Sequence, residues 1–460
     1  MRRAPIGLVL LAAICLAPFA APLAATADAP LSFTVVATRP VPAGAEIGAA
    51  TTDGRFFAAT GVGKVTVFDL REAATLPEVC TFTPSGGGEP TSVDIVPNGK
   101  IALVAVKRDP NPGIVAAIDV STCAPLWQVP VGIGPDSIAV TPNGQQALVA
   151  VEDEEREIGL PTTLNCPADG PANTRPGRVD LLDLRPGRGG APSVRPIAIS
   201  LLGIAGVNCQ DDPQPEGLAI SKDSQLAYVT LQENNALATI NLRTATVASV
   251  ISLGTTNHLA DIVNESGTDV DDPFRGRRES DGIALSHDGR WLFTADEGDT
   301  ERPRTPPLEF SGGRTMTVLS AARFEPGRGR PDASVTPPAV VTDSGAQIEI
   351  AAAANGVLDQ SRARNRGPEP EGITTFKVGG KELAAVTLER SNAVIVFDVS
   401  DPRNPTTVGF VPTGVSPEGV VYVPSRQMLI VTNEGVPDEN PPVPASISVI
   451  CVRQGGADCR

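Results

Sequence analysis

Pro135-Asp136-Ser137-Ile138-Ala139-Val140-Thr141-Pro142-Asn143-Gly144, followed by Ala147-Leu148-Val149-Ala150-Val151, is the stretch that decides the fold. Two short apolar runs flank an Asn-Gly pair, residue types that accept the positive φ of a tight hairpin turn, so the stretch is strand, turn, strand. The same frame returns at Thr91 with Pro97-Asn98-Gly99, at Glu216 with Ser221-Lys222-Asp223 and at Asp281 with Ser286-His287-Asp288-Gly289. It returns again at Glu371 with Val378-Gly379-Gly380 and at Glu418 with Pro424-Ser425-Arg426, while Thr52-Asp53-Gly54 aligns a first copy at Glu46. That makes seven copies.

A third strand follows each hairpin: Val65–Leu70, Val115–Val120, Val179–Leu184, Leu237–Leu242, Met316–Leu319, Val394–Val399 and Ile447–Cys451. Copies are spaced by 45, 45, 80, 65, 90 and 47 residues. A unit of about 45 residues matches a four-stranded propeller blade, with insertions in the longer intervals. The sequence therefore predicts an all-β chain, a seven-bladed β-propeller with long surface insertions. Leu31–Ala37 precedes the first copy and is placed to complete the last blade, which closes the ring without a free sheet edge. The insertions, Asp153–Pro176, Arg185–Pro213, Thr255–Glu279, Thr300–Gly312 and Ala321–Arg366, are polar and read as decoration of one domain spanning residues 28–460.

Composition agrees. Gly 45 and Pro 44 among 460 residues are too many for a helical protein. Asp+Glu 53 against Lys+Arg 37 give a net charge of −16, the wrong sign for a nucleic-acid partner. Two histidines and no CxxC exclude most zinc and haem chemistry. Met1-Arg2-Arg3, an apolar run from Ile6 to Ala21 and Ala25-Thr26-Ala27 form a signal peptide, residues 1–27, with cleavage expected after Ala27. No second apolar run of membrane-spanning length follows. The mature chain is expected to be an exported monomer, periplasmic or extracellular. Its six cysteines suggest disulfides between neighbours: Cys80 with Cys123, Cys166 with Cys209 and Cys451 with Cys459, out of 15 possible pairings.

The repeat also places charge. Just before the first strand of each copy stand Glu46, Thr91, Asp136, Glu216, Asp281, Glu371 and Glu418, six of them acidic. First strands line the channel of a propeller, so these positions should ring one mouth. The antiparallel second strands end at the same face, bringing Glu152, Glu233, Asp296, Glu297, Glu389 and Glu434. Gathered carboxylates repel one another, and a divalent cation or arginine relieves the repulsion. Oxygen ligands without His or Cys suit Ca²⁺. The expected metal ligands are Glu46, Asp136, Glu216, Asp281, Glu371 and Glu418 as an inner tier, with Glu233, Glu297, Glu389 and Glu434 outside them. Arg390, Asn235 and Asn392 are the candidate ligand contacts. Other arginines, Arg275, Arg277, Arg278, Arg302, Arg304, Arg328 and Arg330, lie in the insertions and read mainly as surface charge.

Arg366-Gly367-Pro368-Glu369-Pro370-Glu371-Gly372, Leu388-Glu389-Arg390 and Phe397-Asp398-Val399-Ser400-Asp401-Pro402 resemble the choice-of-anchor I family. So do Ala45-Glu46-Ile47, Thr230-Leu231-Gln232-Glu233-Asn234-Asn235-Ala236, Asp296-Glu297-Gly298-Asp299 and Asp343-Ser344-Gly345. These are exported propellers similar to YVTN-type repeats and to a mesenchyme-specific surface glycoprotein, often joined to alkaline phosphatase or phytase-like proteins. No C-terminal anchor follows the propeller here, so release is expected rather than attachment.

Two functions fit. One is a non-catalytic binding protein whose acidic mouth takes Ca²⁺ and, through it, a small anionic ligand or a protein partner. The alternative is a Ca²⁺-dependent phosphate-ester hydrolase, similar in plan to β-propeller phytases, with Arg390 holding phosphate. Two unpaired histidines cannot supply the zinc cluster of a phosphatase built around Asp343-Ser344.

Overall fold

A computed structural model describes residues 1, 30–153, 176–185, 192–263, 269–298, 309–324, 334–436 and 441–455. Residues 2–27 of the signal peptide, most of the Asp153–Pro176 insertion and Arg302, Arg304, Arg328 and Arg330 lie outside the described residues.

Seven four-stranded antiparallel sheets follow one another along the chain. The first runs through Gly48–Ala50, Phe56–Gly61, Lys64–Asp69 and Glu78–Phe82, the third through Pro135–Val140, Gln146–Val151, Arg178–Asp183 and Ser193–Ala198. The seventh is assembled from both ends of the propeller: Pro417–Val423, Met428–Asn433 and Ser446–Gln454, with Leu31–Pro40 as its outer strand. Leu31 pairs with Gln454 and Pro40 with Ser446, so the N-terminal strand closes the ring as its position implies. The fold is a seven-bladed β-propeller.

Third-strand positions such as Val65, Val115, Val179, Leu237, Val394 and Ile447 are fully buried. Neighbouring sheets pack through small and β-branched side chains; Ala58, Val65 and Val67 of the first blade meet Val93, Ala102 and Val104 of the second. The first two blades are stapled by a disulfide between Cys80, in the fourth strand of the first, and Cys123, in the turn between the third and fourth strands of the second, with Cα atoms 5.7 Å apart. Cys209 and Cys451 are disulfide-bonded too, while Cys166 and Cys459 lie outside the described residues.

The insertions carry more structure than their polar composition suggests: Ser193–Ala198 and Ala339–Asp343 are the fourth strands of the third and fifth blades rather than decoration. Thr255–Ala260 pairs with Asp272–Arg277, and Ala260, Phe274 and Phe310 form a small core of their own. Arg314 lies over the Phe274 ring and is paired with Glu349 at 2.6 Å, both side chains essentially fully buried. Glu349 belongs to the helix Gln347–Ala354, and Arg314 also donates to the carbonyls of Asp261 and Ala363. Burying charge is costly unless it is paired and fully hydrogen-bonded, and these contacts meet most of that cost.

The first strands are built to hold their leading residue still. In the third, fourth, sixth and seventh blades the pairing slips by one residue there, as between Pro135 and Ile138, so two residues oppose one. The backbone carbonyls of four of the six acids are tied to the preceding blade. The hydroxyl of Thr230 donates to Asp281 O at 2.7 Å, Thr387 to Glu418 O at 2.7 Å, Thr432 to Glu46 O and Ser137 to Glu216 O. Glycine follows the acid where blades approach most closely, because a Cβ on Gly217, Gly282 or Gly372 would overlap the carbonyl of Asp281, Glu371 or Glu418. Gly217→Ala should cost roughly 1–3 kcal/mol, the usual cost of overpacking, read as a lower midpoint in urea at unchanged slope.

Candidate functional site

The six acids at the starts of the first strands meet in one cavity of about 380 Å³. Glu46, Asp136, Glu216, Asp281, Glu371 and Glu418 all line it, together with Glu297 and, at the seventh position, Thr91. Thr91 spends its hydroxyl on the Pro135 carbonyl at 2.8 Å, holding the next blade as the other hydroxyls do. Glu216 and Glu371 are buried; Asp281, Glu418, Glu46 and Asp136 are half-buried.

The second strands bring the outer tier to the same face. Carboxylate oxygens of Asp281, Glu297 and Glu371 lie within 4.8 Å of one another, as do those of Glu152, Glu216 and Glu233. Two further trios have the same spacing: Glu369, Glu371 and Glu389, and Glu389, Glu418 and Glu434. Glu233, Glu297 and Glu389 are buried, whereas Glu434 is exposed and faces a neighbouring cavity of about 500 Å³ with Glu46 and Glu89. Asp296 turns away, into hydrogen bonds from Ser280, Thr294, Thr315 and Thr317.

Such crowding is paid for in proton affinity. Burial, and then the charge of Asp136, pushes Asp281 up to about 7. Burial and Glu434 push Glu46 up to about 7, and burial raises Glu297 to about 7 despite the opposing Arg366. Glu389 goes to about 8 through burial and Glu369. Glu216, Glu371 and Glu418 lie well above the usual carboxylate range, first by burial and then through Glu233, Glu297 and Glu389 respectively. Asp281 lies beside both Glu216 and Glu371 in the cavity. Glu216 Oε2 is buried and accepts no hydrogen bond among the described residues.

One side of the mouth is neutralised by arginine. Glu369, fully buried, is surrounded by Arg362, Arg366 at 3.0 Å and Arg390 at 3.2 Å. Burial alone would raise it, yet Arg366, Arg362 and Arg390 outweigh burial and hold it below its ordinary value. Arg366 also pairs with Glu297, and Arg390 with Glu389 at 3.0 Å. Neither Glu369 nor Arg366 stands out in the repeat, since both precede the first strand of the sixth blade; their only signal is the Arg366–Gly372 motif itself. The two candidate asparagines secure turns. Asn235 donates to Gly254 O at 2.9 Å and accepts from Glu279 N, and Asn392 Oδ1 accepts from Ser416 N at 2.9 Å. Arg275, Arg277 and Arg278 pair with Glu309, Glu279 and Asp343 rather than facing the mouth.

The profile of the choice-of-anchor I domain matches residues 46–323 and 308–402. The chain belongs to the choice-of-anchor I family. Solved structures share the fold with this choice-of-anchor I propeller at low identity. Kuenenia stuttgartiensis hydrazine synthase is 13% identical at a TM-score of 0.52, covering 86% of this chain and 94% of that one. The Myceliophteria thermophila Cps50 (Swd1) β-propeller domain is 10% identical at a TM-score of 0.56, covering 91% and 99%. U3-55K is 9% identical at 0.55, covering 93% and 99%. No curated protein matches the chain. Among the described residues no helix is long and apolar enough to cross a membrane.

Proposed function

We propose that this choice-of-anchor I propeller is an exported, non-catalytic binding protein whose mouth takes up Ca²⁺ and presents it to an anionic ligand or partner. The observation that carries this reading is the gathering of Glu216, Asp281 and Glu371 in one cavity, where Glu216 Oε2 is buried and without a hydrogen-bond partner among the described residues. A hard divalent ion bound by these oxygens relieves the repulsion between them, and Ca²⁺ accepts six to eight oxygens in irregular geometry. In the hydrolase reading Arg390 holds the phosphate, yet Arg390 is committed to Glu369 and Glu389, as Arg366 is to Glu297 and Glu369.

Calorimetric titration of Ca²⁺ into chelator-treated protein at pH 7.5 is expected to show binding accompanied by proton release, so the apparent heat changes with the ionisation enthalpy of the buffer. Release of nitrophenol from p-nitrophenyl phosphate, with and without Ca²⁺, should stay at the level of the blank from pH 5 to 10. Sustained Ca²⁺-dependent turnover would instead establish the hydrolase.

A further inference from the structure

The cation reading leaves one charge at the mouth unexplained. Arg366 stands between two carboxylates, Glu297 and Glu369, each of which belongs to a trio whose oxygens lie within 4.8 Å. Its guanidinium also donates to Gly298 O at 3.1 Å, yet its Nε is buried and has no hydrogen-bond partner among the described residues. Glu369 does not depend on it alone, because Arg362 and Arg390 reach the same carboxylate. An arginine needed only to neutralise Glu369 would be redundant there. What Arg366 does alone among these three is bridge to Glu297, a residue that lines the central cavity with Asp281 and Glu371.

We propose that Arg366 is a tethered counter-ion that occupies one cation position of the mouth, so that the ring accepts one divalent ion fewer than its carboxylates can hold. The inference rests on the Ca²⁺ reading of the same site. Arginine brings a single charge in a flat fork that bonds two carboxylates at once, whereas Ca²⁺ brings two charges and demands more oxygens. With Arg366 in place, Glu297 and Glu369 are unavailable to a metal, and the remaining carboxylates of the cavity, Glu216, Asp281 and Glu371 among them, set its position. Arg366 is thus a positioning residue that fixes where, and how many, cations bind.

The test is Ca²⁺ titration of wild-type protein and Arg366→Met, with bound Ca²⁺ counted by atomic absorption after dialysis. R366M is expected to bind one more Ca²⁺ per chain, and to bind the first at least about tenfold tighter because a nearby positive charge has gone. Arg366→Lys, a point charge that holds one carboxylate at a time, should give a smaller gain of about threefold, and it answers the question if R366M does not fold. Equal number and affinity in wild type and both variants overturn the counter-ion role while leaving Ca²⁺ binding intact. Binding by R366M alone supports it and overturns Ca²⁺ binding by the native ring. Absence of binding in all three overturns both.

Discussion

Metal-free protein is expected to lose stability as the pH rises from 5 to 8, and Ca²⁺ is expected to restore it at pH 8 but not at pH 5. Asp281, Glu297 and Glu46 carry folded-state values of about 7, and Glu389 about 8, against ordinary values of 3.8 and 4.5. Between those limits the folded chain holds protons that the unfolded chain has released. Stability therefore falls with pH: the contribution is complete below about pH 4 and lost as pH passes through 7 to 8. A single group moved from 4.5 to about 7, as Glu46 is, corresponds to on the order of 3 kcal/mol. Carboxylates held low by their partners, such as Asp69 and Asp288 at about 2, change stability only at more acid pH and leave this window to the ring. Ca²⁺ competes with the same protons, so at a hundred times its dissociation constant it should add about 2.7 kcal/mol at pH 8 and far less at pH 5. Thermal unfolding followed by circular dichroism at the two pH values, with and without Ca²⁺, reads both effects. A midpoint flat or rising from pH 5 to 8 in chelator contradicts the account.

Glu371→Gln should have the second large effect, with opposite signs in the two states of the protein. Glu371 contributes to two carboxylate trios, one with Asp281 and Glu297 and one with Glu369 and Glu389. Removing its charge takes away a ligand and should weaken Ca²⁺ on the order of a hundredfold, since affinity follows the number of charged ligands. It also takes away a source of repulsion, because glutamine offers an N–H donor to the neighbouring carboxylates at every pH. E371Q is therefore expected to be more stable than wild type in chelator at pH 8 and less responsive to added Ca²⁺. A residue kept only for folding would show loss of stability in both conditions.

The propeller is legible because its signals are local and repeated. Strand, turn and strand recur in one frame, with Asn-Gly or Asp-Gly at the turn in four of the seven copies, and Leu31–Pro40 lies where the seventh blade lacks a strand. The inner carboxylates follow from the same frame, because equivalent positions on the first strands must meet at the channel. Cys80 and Cys123 pair because both follow the third strand of adjacent blades. Residues outside the repeat are a different matter. Arg366 and Glu369 approach the mouth from the segment leading into the sixth blade, and nothing in strand periodicity reports which carboxylates an entering segment will touch. Glu152 was visible at the end of its strand, but its closeness to Glu216 and Glu233 depends on how blades three and four pack. Arg390, Asn235 and Asn392 sit where the frame puts them, at turns on the mouth face, yet whether such side chains face ligand or backbone depends on the turn. Both asparagines have positive φ and tie neighbouring backbone.

The most direct measurement is the anomalous scattering of crystals grown at pH 7.5 with Ca²⁺ and compared with crystals grown in chelator. The account predicts an ion in the central cavity at about 2.3–2.6 Å from carboxylate oxygens of Glu216, Asp281 and Glu371. No anomalous peak among those carboxylates in the presence of Ca²⁺ would contradict it.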